Sequence, residues 1–111
     1  MACIFCKIAA GEIPSERVYE DEHVVAFRDV RPQAPVHVLV VPRAHLASME
    51  ELEDPALAGA LLQAVGKVAR QEKLDKGWRL IANTGPDGGQ EVEHLHLHVL
   101  GGRRLGRMLP G

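Results

Sequence analysis

The segment His94-Leu95-His96-Leu97-His98-Val99-Leu100 limits what this chain can fold into more than any other. Its side chains alternate strictly in character, and a β-strand turns successive side chains to opposite faces. Leu95, Leu97 and Val99 therefore share one face, and His94, His96 and His98 share the other. Alternate positions in a strand lie about 6.6–6.8 Å apart. One face suits a hydrophobic core, and the other lines three imidazoles in a row.

The rest of the chain supplies the core. Cys3 to Ala10 reads as a short helical turn ended by Gly11, where glycine suits a left-handed cap. Arg17–Glu20 and His23–Asp29 read as strands around a polar turn, and His37–Val41 as a β-branched buried strand stopped by Pro42. Asp54 can cap a long helix with Pro55 at its first position. Leu57, Leu61, Val65 and Val68 then recur at helical spacing, and the helix should end near Leu74, before Gly77. Trp78–Thr84 returns as a strand, and Gly85-Pro86-Asp87-Gly88-Gly89 is a turn-rich loop leading to the histidines. The pattern predicts an α+β fold: an antiparallel five-stranded sheet with one long helix on one face and a short N-terminal helix, in a single domain spanning 1–111.

Three chemistries suit the histidine row. It can be a solvated face, a metal site using His-x-His on a strand, or a nucleophile acting on a phosphate with neighbours that orient the ring. The preceding glycines favour the third, because successive N–H groups in such a turn can cradle an anion. With 13 basic against 15 acidic residues and no long basic run, no nucleic-acid partner is expected. The longest uncharged run, Pro55 to Gly66, is 12 residues, too short to cross a bilayer. No signal peptide is visible, so a cytoplasmic protein without membrane contact is expected. There Cys3 and Cys6 point to metal or thiol redox chemistry rather than a structural disulfide.

His94 to Leu100 resembles the His-φ-His-φ-His-φ-φ motif of the histidine triad superfamily. The similarity continues through Ile4-Phe5-Cys6-Lys7-Ile8, Gly11-Glu12-Ile13-Pro14, Ala26-Phe27-Arg28-Asp29-Val30, Pro32-Gln33-Ala34-Pro35-Val36-His37, Asn83-Thr84-Gly85, Gly88-Gly89-Gln90 and Gly101-Gly102-Arg103. It looks most like the Hint branch, the purine nucleoside phosphoramidases.

That resemblance implies cleavage of a P–N bond in a purine nucleoside phosphoramidate through a covalent nucleotidyl-histidine. Dinucleoside polyphosphate hydrolysis, or nucleotide binding without turnover, are the alternatives. His96 would attack the α-phosphorus, its other ring nitrogen held by a backbone carbonyl. His37, His98 and Gln90 would contact phosphate oxygens. Asp29 would accept from the ribose hydroxyls, and Phe5, Ile8, Ile13, Phe27, Val30 and Leu39 would line the base pocket. Asn83, Gly89, Glu91 and Val92 fall at nucleotide-binding positions. Two departures bear on selectivity: Glu91 replaces a family serine, and the tail Arg103–Gly111 lacks a tryptophan. By similarity to bacterial members, Cys3, Cys6, His45 and His94 would hold a structural zinc, against a redox role for the thiols. A homodimer is implied, and it would cover the strand Trp78–Thr84, otherwise an unpaired edge.

Overall fold

A computed structural model of the chain describes residues 3–109. It forms α1 (Ile4–Ala9), β1 (Arg17–Glu20), β2 (Val24–Arg28), β3 (Val36–Pro42), a 3-10 turn (Met49–Glu51), α2 (Pro55–Gln71), β4 (Trp78–Ala82) and β5 (Leu97–Gly101). The strands make one antiparallel sheet in the order β1-β2-β3-β5-β4. The α+β architecture expected from the sequence is the one observed.

Each buried strand reads differently on its two faces. Val24, Ala26, Val38, Val40, Leu97 and Val99 meet Leu61, Ala64, Val65 and Val68 of α2. Burying each such aliphatic side chain contributes about 1.5–3 kcal/mol. Val25, Phe27, Leu39 and Val41 point the other way and meet Phe5, Ile8 and Ala9 of α1. Directly opposite residues of an antiparallel pair share a face. The pairing of Leu39 with His98 and of Phe27 with Leu39 therefore places His98 on the α1 side. The long helix holds the strand from behind while its imidazoles open forward.

The ladder of β5 begins at Leu97, three residues into the alternating segment. Before it, the Leu95 amide bonds to Leu46 O at 2.7 Å and the His94 amide to Val92 O at 2.9 Å. The alternation survives without the ladder: Leu95 lies in the core beneath α2, and His94 and His96 stay on the α1 side.

Asp54 caps α2 through Ala56 N–H, with Pro55 at the first position. The helix ends earlier than expected, at Gln71, and Gly77 has no part in stopping it. Lys73 takes the left-handed cap position at φ 60°, with Leu74 N–H on Ala69 O and Lys73 N–H on Arg70 O. This is the pattern of a Schellman cap, which normally carries glycine. A lysine there costs about 1 kcal/mol of backbone strain. Lys73→Gly is accordingly expected to raise the urea midpoint, by about 0.5–1 kcal/mol of unfolding free energy.

The C-terminus of α1 is held by two guanidinium groups. Arg17 donates to Ile8 O (2.6 Å) and Ala9 O (3.2 Å), and Arg43 to Ala9 O (3.2 Å). Cations there satisfy orphan carbonyls and oppose the helix dipole. They also fix α1, and with it Cys6, against the sheet.

Candidate active site and metal cluster

Five histidines on the α1 face are joined into two centres by their hydrogen bonds. A carbonyl can only accept, so each ring nitrogen that faces one carries the proton. His96 Nδ1 lies 2.7 Å from His94 O, so the proton sits on Nδ1 and the lone pair on Nε2. The expectation that a backbone carbonyl orients His96 corresponds to this contact. The ring is nearly buried, at 6% exposure, and the Phe5 ring stands against it edge-on at 5.1 Å. Phe5 touches His94 and Phe27 the same way.

His98 stands beside His96, ring centroids 5.0 Å apart. Its tautomer is set from a distance. Gln33 N–H donates to His37 Nδ1 at 3.0 Å, which leaves the proton of a neutral His37 on Nε2. That atom is 2.9 Å from His98 Nδ1 and 3.5 Å from Asp29 Oδ2. His37 then donates to His98, and His98 keeps its own proton on Nε2. Desolvation by burial is the main cause of a low pKa at both rings, partly opposed by Asp29. It lowers His37, and with the fields of His96 and His37 it takes His98 down to about 4.

Those shifts carry a sign. An unfolded histidine titrates near 6.5, so below that pH the unfolded chain binds protons that the folded chain refuses. Stability must fall as pH drops from about 6.5 towards 4. Urea midpoints across this range are expected to decline, and His98→Asn should make the decline shallower.

His94 is wholly buried and faces away from this pair. Its Nε2–H donates to Pro42 O at 2.8 Å, which leaves the Nδ1 lone pair towards Cys3 Sγ (3.3 Å), Cys6 Sγ (3.5 Å) and His45 Nδ1 (3.2 Å). Cys6 Sγ is 3.3 Å from His45 Nδ1. Two sulfurs and two imidazole nitrogens at tetrahedral zinc distances would stand about 3.3–3.8 Å apart. The cluster fits such an ion in donor type and spacing, with the second nitrogen of His94 already fixed by a carbonyl.

Other expected contacts are arranged differently. The Gln90 side chain accepts from Gly85 N–H and donates to Ala47 O (2.6 Å) and Val92 O (2.9 Å), so its amide protons brace the loop and do not face an open site. The glycine loop likewise closes on itself, with Gly89 N–H on Pro86 O and Gln90 N–H on Gly85 O. The N–H groups of Gly85, Gly89 and Gln90 are thereby taken up within the loop. Asn83 donates to Gly88 O at 2.7 Å. Gly88 is required sterically, since a Cβ there would lie 2.4 Å from Thr84 O.

Of the expected base-pocket residues, Phe5, Ile8, Phe27 and Leu39 share one buried cluster, with Ile13 and Val92 packed on it. Val30 departs from the group, standing 92% exposed just beyond β2. Asp29 Oδ1 accepts from Arg31 N–H, and Glu91 lies on the surface beside Gln90. The carbonyls of His94 and Pro42 have no signature in the sequence, since any residue supplies one.

Residues 10–105 match the HIT domain family. Over 109 residues the chain is 47% identical to the purine nucleoside phosphoramidase of Escherichia coli strain K12, covering 96% of this chain and 92% of that protein. It is 50% identical over 107 residues to the 14 kDa zinc-binding protein of Zea mays, covering 92% and 83%. The crystal structure of a HIT family hydrolase from Legionella pneumophila superposes with a TM-score of 0.91 at 47% identity, covering 95% and 96%. The chain belongs to the HIT domain family.

Proposed function

We propose that this HIT-family hydrolase, one domain over 1–111, cleaves the P–N bond of purine nucleoside 5′-phosphoramidates. The observation that carries the reading is the bond from His96 Nδ1–H to His94 O at 2.7 Å, which holds a bare Nε2 in place. A neutral imidazole so oriented is a nucleophile at neutral pH without an added base.

In the first step His96 Nε2 forms a bond to the α-phosphorus as the P–N bond to the amine breaks. The departing nitrogen takes its proton from solvent water, while the neutral His98 Nε2–H donates a hydrogen bond to a phosphate oxygen. Water then attacks the nucleotidyl-histidine, gives up its proton to the hydroxide left by the first step and releases the monophosphate with His96 restored. His37 serves this step as a positioning residue: both its nitrogens are engaged, and it dictates which nitrogen of His98 carries the proton. Asp29 and the cluster of Phe5, Ile8, Phe27 and Leu39 provide for the ribose and base.

Zinc is the proposed occupant of Cys3, Cys6, His45 and His94, in a structural role. Such an ion would tie α1 to the segment before β5 and hold His94 O where His96 needs it. A reducing cytoplasm would keep both thiols available. The relationship to the phosphoramidase of E. coli supports the substrate class, and that to the zinc-binding protein of maize supports the metal.

Purified protein incubated with adenylated amines and dinucleoside polyphosphates tests the reading through release of AMP. Faster turnover of the amines is expected. Release from the dinucleotides alone would assign the alternative hydrolase activity, and binding without release would leave a nucleotide-binding protein.

A homodimer is also proposed. β4 is a sheet edge, its Leu80 stands 40% exposed on the α2 side, and Leu62 of α2 is 59% exposed. Light scattering is expected to give twice the 12.1 kDa chain mass, and Leu80→Arg to shift it towards the monomer.

A further inference from the structure

Two residues connect the sulfur–imidazole cluster to the nucleophile. His94 belongs to both centres: its ring Nδ1 faces Cys3 and Cys6, and its main-chain oxygen accepts from His96 Nδ1–H. Phe5 stands on α1 between the two thiols, next to Cys6 and just after the Cys3 cap. Its ring meets those of His96 at 5.1 Å, Phe27 at 5.6 Å and His94 at 5.9 Å, each time edge-on. Edge-on aromatic pairs attract through their quadrupoles and favour that geometry over others. Phe27, the other phenylalanine, makes no ring contact with a histidine among the described residues.

What keeps Phe5 there depends on how α1 is held. The helix has 6 residues, too few to be stable without tertiary contacts. Arg17 and Arg43 pin its C-terminal end through the carbonyls of Ile8 and Ala9. The N-terminal turn has no comparable polar clamp among the described residues. Apart from the bond of Cys6 N–H to Cys3 Sγ at 3.4 Å, the side chains of Cys3 and Cys6 contact only His94 and His45. Thiol protons can join Cys3 to His94 and Cys6 to His45, yet they bring no attraction between the two imidazole nitrogens, 3.2 Å apart. One tetrahedral zinc ion satisfies all four atoms together.

We infer that the metal cluster and the nucleotide site are energetically coupled, and that Phe5 is the positioning residue that couples them. The inference rests on the zinc and nucleotide readings proposed above. With the four side chains joined, the first turn of α1 holds Phe5 against His96, and the imidazole is oriented before the phosphate arrives. With them unjoined, that turn samples other positions, and nucleotide binding has to restore the one observed. The nucleotide senses the placement of Phe5 twice, through His96 and through the apolar cluster with Phe27 and Leu39. A ligand that prefers one arrangement shifts the population towards it. Zinc and nucleotide prefer the same arrangement, so each raises the affinity of the other, by one common factor.

Zinc affinity is read by competition between the zinc-loaded protein and a chromophoric chelator, with and without saturating AMP. The protein-free reference contains the same AMP. Calorimetry of AMP with loaded and with chelator-stripped protein gives the reciprocal value. Wild type is expected to hold zinc at least about 5-fold more tightly with AMP present, and to bind AMP more tightly by that same factor with zinc present. Phe5→Leu should bring both factors to within about 2-fold of unity, while zinc affinity without AMP stays near that of wild type. Phe5→Met, apolar and without a ring, should behave likewise, so the result does not hang on one variant. Measurable but mutually independent affinities in wild type overturn the inference and leave both readings of the sites standing. Coupling that survives in both Phe5 variants overturns it too, since the link then runs elsewhere. Protein that takes up no zinc, or that binds no AMP when loaded, removes the corresponding reading and this inference with it.

Discussion

His96→Ala is expected to reduce turnover of an adenylated amine by at least about 10⁴-fold, the scale on which loss of a covalent nucleophile acts. Binding of AMP, measured by calorimetry, should change only a few-fold, because the apolar cluster and Asp29 are untouched. The contrast between the two readouts gives the experiment its force. Nucleotide affinity lost in step with turnover would mean that His96 binds and does not attack. Turnover retained within 10-fold of wild type would remove the nucleotidyl-histidine altogether.

The second large effect concerns the cluster of Cys3, Cys6, His45 and His94. Wild-type protein is expected to carry close to one zinc per chain by elemental analysis, and Cys3→Ser close to none. The variant should also be destabilised by about 3 kcal/mol, roughly 10–15 °C in melting temperature for a chain of this length. Turnover should drop as well, since His94 supplies the carbonyl that orients His96. Equal zinc in the wild type and Cys3→Ser would end the proposal.

Much of this arrangement is legible in the residues themselves. Alternation from His94 to Leu100 separates a core face from an imidazole face, and Asp54-Pro55 with its apolar spacing marks the start and the buried side of α2. Endings and acceptors are less visible. Nothing in Glu72-Lys73-Leu74 distinguishes a left-handed cap from continued helix, because a lysine there is tolerated only through the contacts of Leu74. The glycines after Thr84 look like an anion cradle because φ > 0 serves open and closed loops alike. Only the observed partners of Gly89 and Gln90 show that this loop closes on itself.

His37 shows why side-chain roles are the hardest to read. A histidine on a buried strand next to a row of others suggests one more phosphate ligand. Its role depends on a main-chain amide four residues earlier, which occupies one nitrogen and commits the other to His98. The resemblance places the residue in the site; its two hydrogen-bond contacts, to Gln33 N–H and His98 Nδ1, cannot be read from the sequence.

The glycine pair at the exit of β5 has a consequence for how such proteins diversify. Because Gly102 leaves β5 at φ 94°, a conformation other residues rarely adopt, with Pro35 close against it, the direction of the chain at that exit is set before the final residues begin. The last stretch can then vary in composition while starting from the same point and in the same direction. A transplanted ending from a relative, joined after Gly102, should therefore carry its donor's preferences with it and leave the chemistry of the host unaltered.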